Sequence, residues 1–373
     1  MSQWIKTKLG EIVILNYGKA LKAQDRNAGS IPVYSSGGLT GWHNKALINE
    51  QGIIIGRKGT VGKAYLTYGP FWCIDTAYYI LPNPSKYDFV FLFYLLKTLG
   101  LEELNEDSAV PGLNRDTAYS QEILLPSLPE QKAIASVLSS LDAKIDLLHR
   151  QNKTLESMAE TLFRQWFILD STGVSVSIDQ IIDFNPKRTL IKSQDATYLD
   201  MAGLSTVIFR ANGYYRRPFS SGTKFTKRDT LLARITPCLE NGKAAYIDFL
   251  DDSETGWGST EFIVMRPKKE IHPFISYIMC RNPDFKEYAE SCMEGSTGRQ
   301  RVNLDHLKKF NVNLPTEASL RIINELLDSF ESKLINNSKQ IDSLEKLRDT
   351  LLPKLMSGEV RVQYAEEAIA SVA

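Results

Sequence analysis

Four cysteines in 373 residues, Cys73, Cys238, Cys280 and Cys292, form no Cys-x-x-Cys pair, and only four histidines accompany them. No histidine stands at ligand spacing from a cysteine. A structural zinc site is therefore not expected, and scattered reduced thiols are the plain reading. No run of about 18 apolar residues exists that could cross a bilayer. The opening residues, MSQWIKTKLG, hold no apolar core of a secretory leader, so the expected compartment is the cytoplasm and no membrane partner is expected. Neither sign of charge is in excess, since 44 Lys and Arg balance 44 Asp and Glu. That excludes a chain coated in basic charge. It does not exclude a DNA-binding one, because the placement of Lys and Arg decides that.

Catalytic motifs are missing as well. A methyltransferase needs a donor-binding Gly-rich turn and an amide-Pro-Pro-aromatic motif; Asn185-Pro186-Lys187 lacks the second Pro and the aromatic. A metal-dependent nuclease needs Pro-Asp followed by an acidic-x-Lys triplet on an adjacent strand. Pro283-Asp284 has none nearby, and Glu331-Ser332-Lys333 falls in a helical segment. The run from Gly56 to Lys63 has the wrong glycine spacing for a nucleotide loop, and Ala64 stands where Ser or Thr would hold magnesium. The chain reads as no enzyme, with no catalytic residue and no metal site.

What is present is a repeat. Setting each residue against the one 189 positions later aligns Asn114 with Asn303, Asp116 with Asp305 and Pro126 with Pro315. It also aligns Leu138 with Leu327, Leu155 with Leu344, Glu156 with Glu345 and Thr161 with Thr350. Upstream, with small gaps, GIIIGRKGTVGKAYL resembles TLLARITPCLENGKAAYI and Trp72 falls on Trp257. The chain is thus two copies of one unit, a Gly-rich globular head followed by a long helix. Within the heads, GIIIGRKG, AYLTY and DTAYYILP read as strands between turns. FVFLFYLLKTLG reads as a buried helix, and HPFISYIMCRNPDFKEYAESC as its helical counterpart.

The helical segments carry heptads. Ile134, Leu141, Leu148, Leu155 and Leu162 form one seam; Leu138, Ile145, Asn152, Ala159 and Trp166 form the other. The second copy gives Ile323, Phe330, Asn337, Leu344 and Leu351, with Leu327, Leu334, Ile341, Arg348 and Leu355; Ser357-Gly358 follows as a helix stop. Each copy carries one Asn in a seam. The register that pairs Asn152 with Asn337 is antiparallel and places Ala159 opposite Phe330. Only Leu141 opposite Arg348 is poor, and Arg can carry its head outward over an apolar stem. A buried Asn pair fixes register at a cost in stability, so an intramolecular antiparallel coiled coil is expected, against the plainer reading of two amphipathic helices each packed on its own head. A helix of about 33 residues spans about 50 Å. Two heads on such a pair, related by a pseudo-two-fold, have the geometry of a protein reading separated half-sites.

Several motifs resemble the specificity subunit of type I restriction-modification systems. They are the run Tyr34-Ser35-Ser36-Gly37-Gly38, the run from Gly56 to Lys63, Val110-Pro111-Gly112-Leu113-Asn114, and the run from Leu125 to Gln131. The runs from Lys224 to Lys243 and from Gly295 to Arg301 complete the set. The resemblance implies an α+β protein with two mixed α/β target-recognition domains, at 1–128 and 174–314. It implies helical spacers at 129–168 and 315–358, and a tail at 359–373. It further implies binding to double-stranded DNA and docking of two modification (methyltransferase) subunits and of restriction subunits. S-adenosylmethionine, ATP and Mg would sit on those partners, with no cofactor in this chain.

Base edges are read best by Arg, Lys, Asn, Gln, Ser and Thr, while phosphate contacts position the protein. On that rule the DNA-binding candidates in head one are Ser35, Ser36, Arg57, Lys58, Thr60, Lys63, Asn114 and Arg115. In head two they are Arg216, Arg217, Lys224, Lys227, Arg234, Thr236, Asn241, Lys243, Arg299, Gln300 and Arg301. The loops differ between heads, so two unlike half-sites are expected. The alternative is a protein-interaction scaffold with no DNA specificity, which the neutral net charge favours.

Overall fold

A computed structural model describes residues 4–104, 112–170, 172–296 and 298–365. Val110 and Pro111 of the quoted motif and residues 366–373 of the tail lie outside the described residues. The chain divides into two compact units, residues 1–146 with 340–373, and residues 147–339.

Among the described residues, the head of the first unit contains nine strands. They are β1 (Ile5–Lys8), β2 (Asn16–Tyr17), β3 (Ile31–Ser35), β4 (Gly38–His43), β5 (Gly52–Gly56), β6 (Ala64–Thr67), β7 (Trp72–Cys73), β8 (Ala77–Ile80) and β9 (Glu122–Leu125). Its helices are α1 (Leu9–Ile12), α2 (Phe89–Thr98) and α3 (Arg115–Tyr119), and α4 (Leu128–Phe163) follows. The sequence GIIIG of β5 is buried at every position. A short continuous apolar run fits a strand covered on both faces, and β5 lies inside the antiparallel sheet β2-β8-β5-β6. A second sheet has the order β4-β3-β7. Asp88 starts α2 by accepting the N–H groups of Val90 and Phe91, and the helix buries Phe89, Phe91, Leu92, Tyr94, Leu95 and Leu96.

The second unit repeats the plan. Its strands are β10 (Val174–Ser177), β11 (Ile182–Phe184), β12 (Asp195–Leu199), β13 (Tyr215–Pro218), β14 (Thr223–Thr226) and β15 (Thr230–Ala233). They continue as β16 (Ala244–Tyr246), β17 (Thr255–Gly258), β18 (Phe262–Pro267), β19 (Met293–Glu294), β20 (Arg301–Val302) and β21 (Asn311–Leu314). Its helices are α5 (Phe274–Arg281), α6 (Pro283–Ser291) and α7 (Leu304–Leu307), before α8 (Glu317–Ser357). The sheet β11-β18-β15-β16 matches β2-β8-β5-β6, and β13-β12-β17-β14 matches β4-β3-β7 with one strand added. In each head the first and last strands pair antiparallel, β1 with β9 and β10 with β21, so each head closes where its long helix begins. The helical stretch read as one from the sequence is two helices. Pro283 lacks an N–H, and Asn282 caps α6 by accepting from Phe285 at 3.1 Å.

The long helices pair through the layers their heptads specify. In the second unit Asn337 donates to Oδ1 of Asn152 at 2.9 Å, and Asn152 donates to Ser338 at 3.3 Å. In the first unit Arg348 donates to Asp142 at 3.0 Å, so the poor core position sends its charge to a carboxylate. Within the second unit the partner order reverses, with Asn152 beside Asn337 and Leu162 beside Leu326 and Phe330, as an antiparallel pair requires. Beyond Asn152 the buried face of α4 widens. Of the seam, Ala159 stays buried and Leu155, Leu162 and Trp166 are half-buried, while Glu156, Phe163 and Phe167, outside the seam, are buried too. Here α4 faces its own unit's head: Tyr277 donates to Glu156 at 2.8 Å, and Phe163 and Phe167 enter the head's core. A wide-turn π segment, Arg164–Leu169, ends the helix. Gly358, at φ +76°, ends α8.

Candidate nucleic-acid interface

In head one three segments converge: the β3–β4 turn, the loop after β5, and the chain entering α3. The N–H groups of Arg57 and Lys58 donate to the Thr76 carbonyl at 3.0 Å, and Leu113 N–H donates to the Arg57 carbonyl at 2.8 Å. Lys58 bridges Gly112. A Cβ on Gly56 would lie 1.9 Å from the Thr60 carbonyl oxygen and 2.9 Å from that of Ser36, so only glycine lets the loop fold back on the turn.

Ser35 and Ser36 build that turn. Ser35 Oγ accepts Gly37 N–H at 3.2 Å, and Ser36, 9% exposed, donates its N–H to Thr76. Asn114 is the N-cap of α3, accepting Asp116 N–H at 2.8 Å. Lys58, Thr60 and Lys63 are exposed. Arg57 and Arg115 both lie against Tyr17, their guanidinium carbons 5.2 and 5.3 Å from its ring centre, and Arg57 also covers Tyr78 at 5.8 Å. Tyr17 is half exposed, so this Arg–Tyr–Arg stack borders solvent.

Head two builds the same frame around Arg234. Its N–H donates to the Glu261 carbonyl at 3.0 Å, its carbonyl accepts Val302 N–H at 2.8 Å, and Ile235 bridges Arg301. The side chains around it differ. Arg234 donates to the Val302 carbonyl at 3.3 Å and lines a cleft of about 430 Å³ with Asn185, Arg188, Thr223, Lys224 and Thr260. The Lys224 ammonium lies 5.0 Å from the Phe219 ring centre. Thr236 accepts Gln300 N–H at 3.1 Å, tying the loop after β15 to the Arg299–Gln300–Arg301 segment. Arg301 grips Glu261 with two nitrogens, at 3.0 and 2.7 Å. That hydrogen bonding holds the Glu261 carboxyl below its usual range.

The other predicted side chains have partners or surroundings of their own. Arg216 pairs with Asp195 at 2.8 Å and Glu254 at 3.3 Å, and Lys227 with Asp252 at 2.9 Å. Lys243 donates to the Met201 carbonyl at 3.0 Å. Arg217 is exposed and lies over Tyr198 at 4.8 Å and Trp257 at 5.3 Å. Asn241 and Arg299 are exposed.

Sequence reasoning missed Tyr17 and Arg188, which reach the frame from β2 and from the chain after β11. Tyr17 had one usable signal, an aromatic between an Asn and a Gly. Arg188 had none. Among the described residues, His272, Asp328 and Glu331 bring ligand atoms within 4.8 Å of one another. Arg228 already stands there as the cation, donating to Glu331 at 2.5 and 3.1 Å and lying 3.1 Å from His272 Nε2. Burial pushes the Cys73 and Cys280 thiols up to about 12, which makes them poor nucleophiles. Among the described residues, no helix is long and apolar enough to cross a membrane.

Comparison with known proteins follows the same division of the chain. The family model described as the type I restriction modification DNA specificity domain matches residues 1–157 and again 172–346. The type I restriction enzyme MjaIX specificity subunit of Methanocaldococcus jannaschii is 27% identical over 319 residues, 73% of this chain and 69% of that protein. The EcoEI specificity subunit of Escherichia coli is 25% identical over 261 residues, 65% of this chain but only 43% of that longer protein. The crystal structure of a type I restriction-modification S subunit from M. genitalium shares the fold, with TM-score 0.64 at 19% identity over 95% of this chain and 96% of that one.

Proposed function

The chain belongs to the type I restriction-modification DNA specificity family, and from that premise we propose that it is the DNA-reading subunit of such a complex. Each head reads one half of a bipartite target, and the α4–α8 pair fixes the spacing. The chain docks the methyltransferase and restriction subunits, which carry S-adenosylmethionine, ATP and Mg. It performs no chemistry itself.

One observation carries this reading: the same backbone frame occurs twice, with an arginine at its centre each time and unlike side chains around it. A fixed frame with variable edge groups is what base readout requires, because neighbouring base pairs differ in donor and acceptor pattern while backbone geometry hardly changes. The test is to map methylated adenines in a host that carries the chain with its modification subunit, and again after deletion of the chain. The expected result is two half-sites at a constant gap, both lost on deletion. A contiguous target, or methylation that survives deletion, overturns the proposal. The neutral net charge favours the alternative of a protein scaffold. Failure to retain any duplex at low salt would support it.

A further inference from the structure

We propose that the head-two cleft between β11 and β14 is a clamp for one phosphodiester of the DNA backbone, with Arg188, Lys224 and Arg234 as its cations. The inference rests on the DNA-reading function and goes further by assigning these side chains to the backbone rather than to a base.

Three cations and no carboxylate line a cavity of about 430 Å³. The Nε atoms of Arg188 and Arg234 are buried with no hydrogen-bond partner among the described residues, and a buried unsatisfied donor calls for a ligand. Arg188 has one weak tie, at 3.4 Å to Asp229, and that buried carboxylate is already held by Arg266 at 2.6 Å. The remaining groups are donors too. Asn185 accepts Val264 N–H at 2.9 Å through its oxygen, leaving its amide nitrogen for the cleft. Thr223 and Thr260 bring hydroxyls.

A site rich in donors suits an acceptor-only group. Guanine also offers two acceptors, but Arg188 has only a weak share of Asp229 and no carboxylate among the described residues pairs with Lys224, so a neutral base would leave the cleft net positive, whereas a phosphodiester brings an anion. The cleft keeps its shape through Gly222, at φ +151°, where a Cβ would lie 2.1 Å from the Gly258 carbonyl oxygen. In head one the counterpart arginine, Arg57, lies on Tyr17 and Tyr78 instead.

The experiment measures binding of the full chain to random-sequence and target-bearing duplexes across a salt series. The variants are Lys224→Gln, Arg188→Gln and the charge-preserving Lys224→Arg. Each Gln variant is expected to weaken binding by the same factor on every duplex and to reduce the slope of log affinity against log salt by about 0.9; Lys224→Arg keeps the wild-type slope. A duplex series carrying one neutral methylphosphonate at successive positions should contain one position that weakens wild type but not Lys224→Gln. Unchanged slopes in both Gln variants, or a loss confined to the target sequence, overturns the clamp while leaving the DNA-reading function intact. A wild-type chain that binds no duplex overturns both. Free inorganic phosphate that competes at millimolar concentration without any slope change would show a small-anion site in place of a backbone clamp.

Discussion

Head one and head two hold Arg57 and Arg234 on the same backbone frame, yet Arg57 is stacked on aromatic rings and Arg234 opens into a cationic cleft. The two units also fasten head to helix by a like device. In the first unit Tyr94 donates to Asp142 at 2.6 Å and Arg348 donates to the same carboxylate. In the second, Tyr246 donates to Glu331 at 2.7 Å and Arg228 completes the group. Asp142 and Glu331 are one repeat of 189 residues apart. Duplication has kept the frame and the fastening and has changed what the frame presents. The fastenings differ in burial: the Asp142 side chain is 34% exposed and that of Glu331 only 9%.

That difference sets the largest expected effect. Glu331→Gln leaves Arg228 partly buried beside His272 without its main counter-charge, and breaking such a pair costs about 3 kcal/mol. Asp142→Asn, nearer to solvent, costs under about 1 kcal/mol. Hydrogen exchange resolved by segment would read the two units separately. Equal losses in both would break the comparison.

A smaller effect distinguishes the units by pH. Burial lifts Glu156 from its ordinary 4.5 to about 7, against the pull of the Tyr277 hydroxyl and Arg281, with Glu160 adding to the rise. Its repeat counterpart Glu345 is only half-buried. A carboxyl whose folded pKa is raised contributes stability that is complete below its unfolded value and is lost as pH rises through the folded value. The second unit should therefore lose on the order of 2 kcal/mol between about pH 4.5 and pH 7. His272 runs the other way: burial lowers its pKa, so its contribution is present above its ordinary 6.5 and is lost as pH falls below that. Glu156→Gln should flatten the first slope. A slope that survives this change would place its origin elsewhere.

The two frame arginines come next. On the proposed function Arg57→Ala should cost about 2 kcal/mol of affinity, mostly on the target sequence, whereas Arg234→Ala, the loss of a backbone contact, should weaken binding on every sequence alike and reduce the salt slope by about 0.9. Lysine replacements sharpen the contrast. Stacking needs the planar guanidinium, whereas the cleft needs a charge. Arg57→Lys should thus behave like Arg57→Ala, and Arg234→Lys should keep most of its affinity. Anisotropy titrations on one duplex would show it, and the opposite ranking would mean that the stack and the cleft had been assigned the wrong way round.

The helical half of the fold was legible because its signal is local and periodic: a heptad and one Asn per seam were enough to pair Asn152 with Asn337. At Leu162 and Trp166 the seam is only half-buried, while Tyr277, more than a hundred residues away in sequence, bonds Glu156 on a neighbouring face of α4. The site was legible only in part, for the same reason. Arg57 and Arg234 follow an apolar strand in both copies, so the repeat exposes them. That Arg216 and Lys227 stand against Asp195, Glu254 and Asp252 has no local signal, because those carboxylates are distant in sequence. Tyr17 and Arg188 join the frame through strand pairing, which no local pattern announces.

The smallest expected effect concerns how head two restrains its own Arg301. Glu261 occupies the place that Thr76 holds in head one, its carbonyl accepting the arginine N–H, and Arg301 the place of Gly112, bridging the residue after that arginine. Head two therefore carries a carboxylate–guanidinium pair where head one has no charge at all. While Glu261 holds both nitrogens, Arg301 meets DNA only by exchanging one acceptor for another, and exposed pairs of this kind exchange at small cost. Glu261→Gln removes the internal competitor and a negative charge beside the proposed DNA surface. Binding should tighten by about threefold on every sequence at low salt, and less as salt rises. Arg301→Gln in the same background should cancel the gain. If Glu261→Gln weakens binding instead, the carboxylate orients Arg301 for a base, and head two reads with a braced arginine where head one reads with a stacked one.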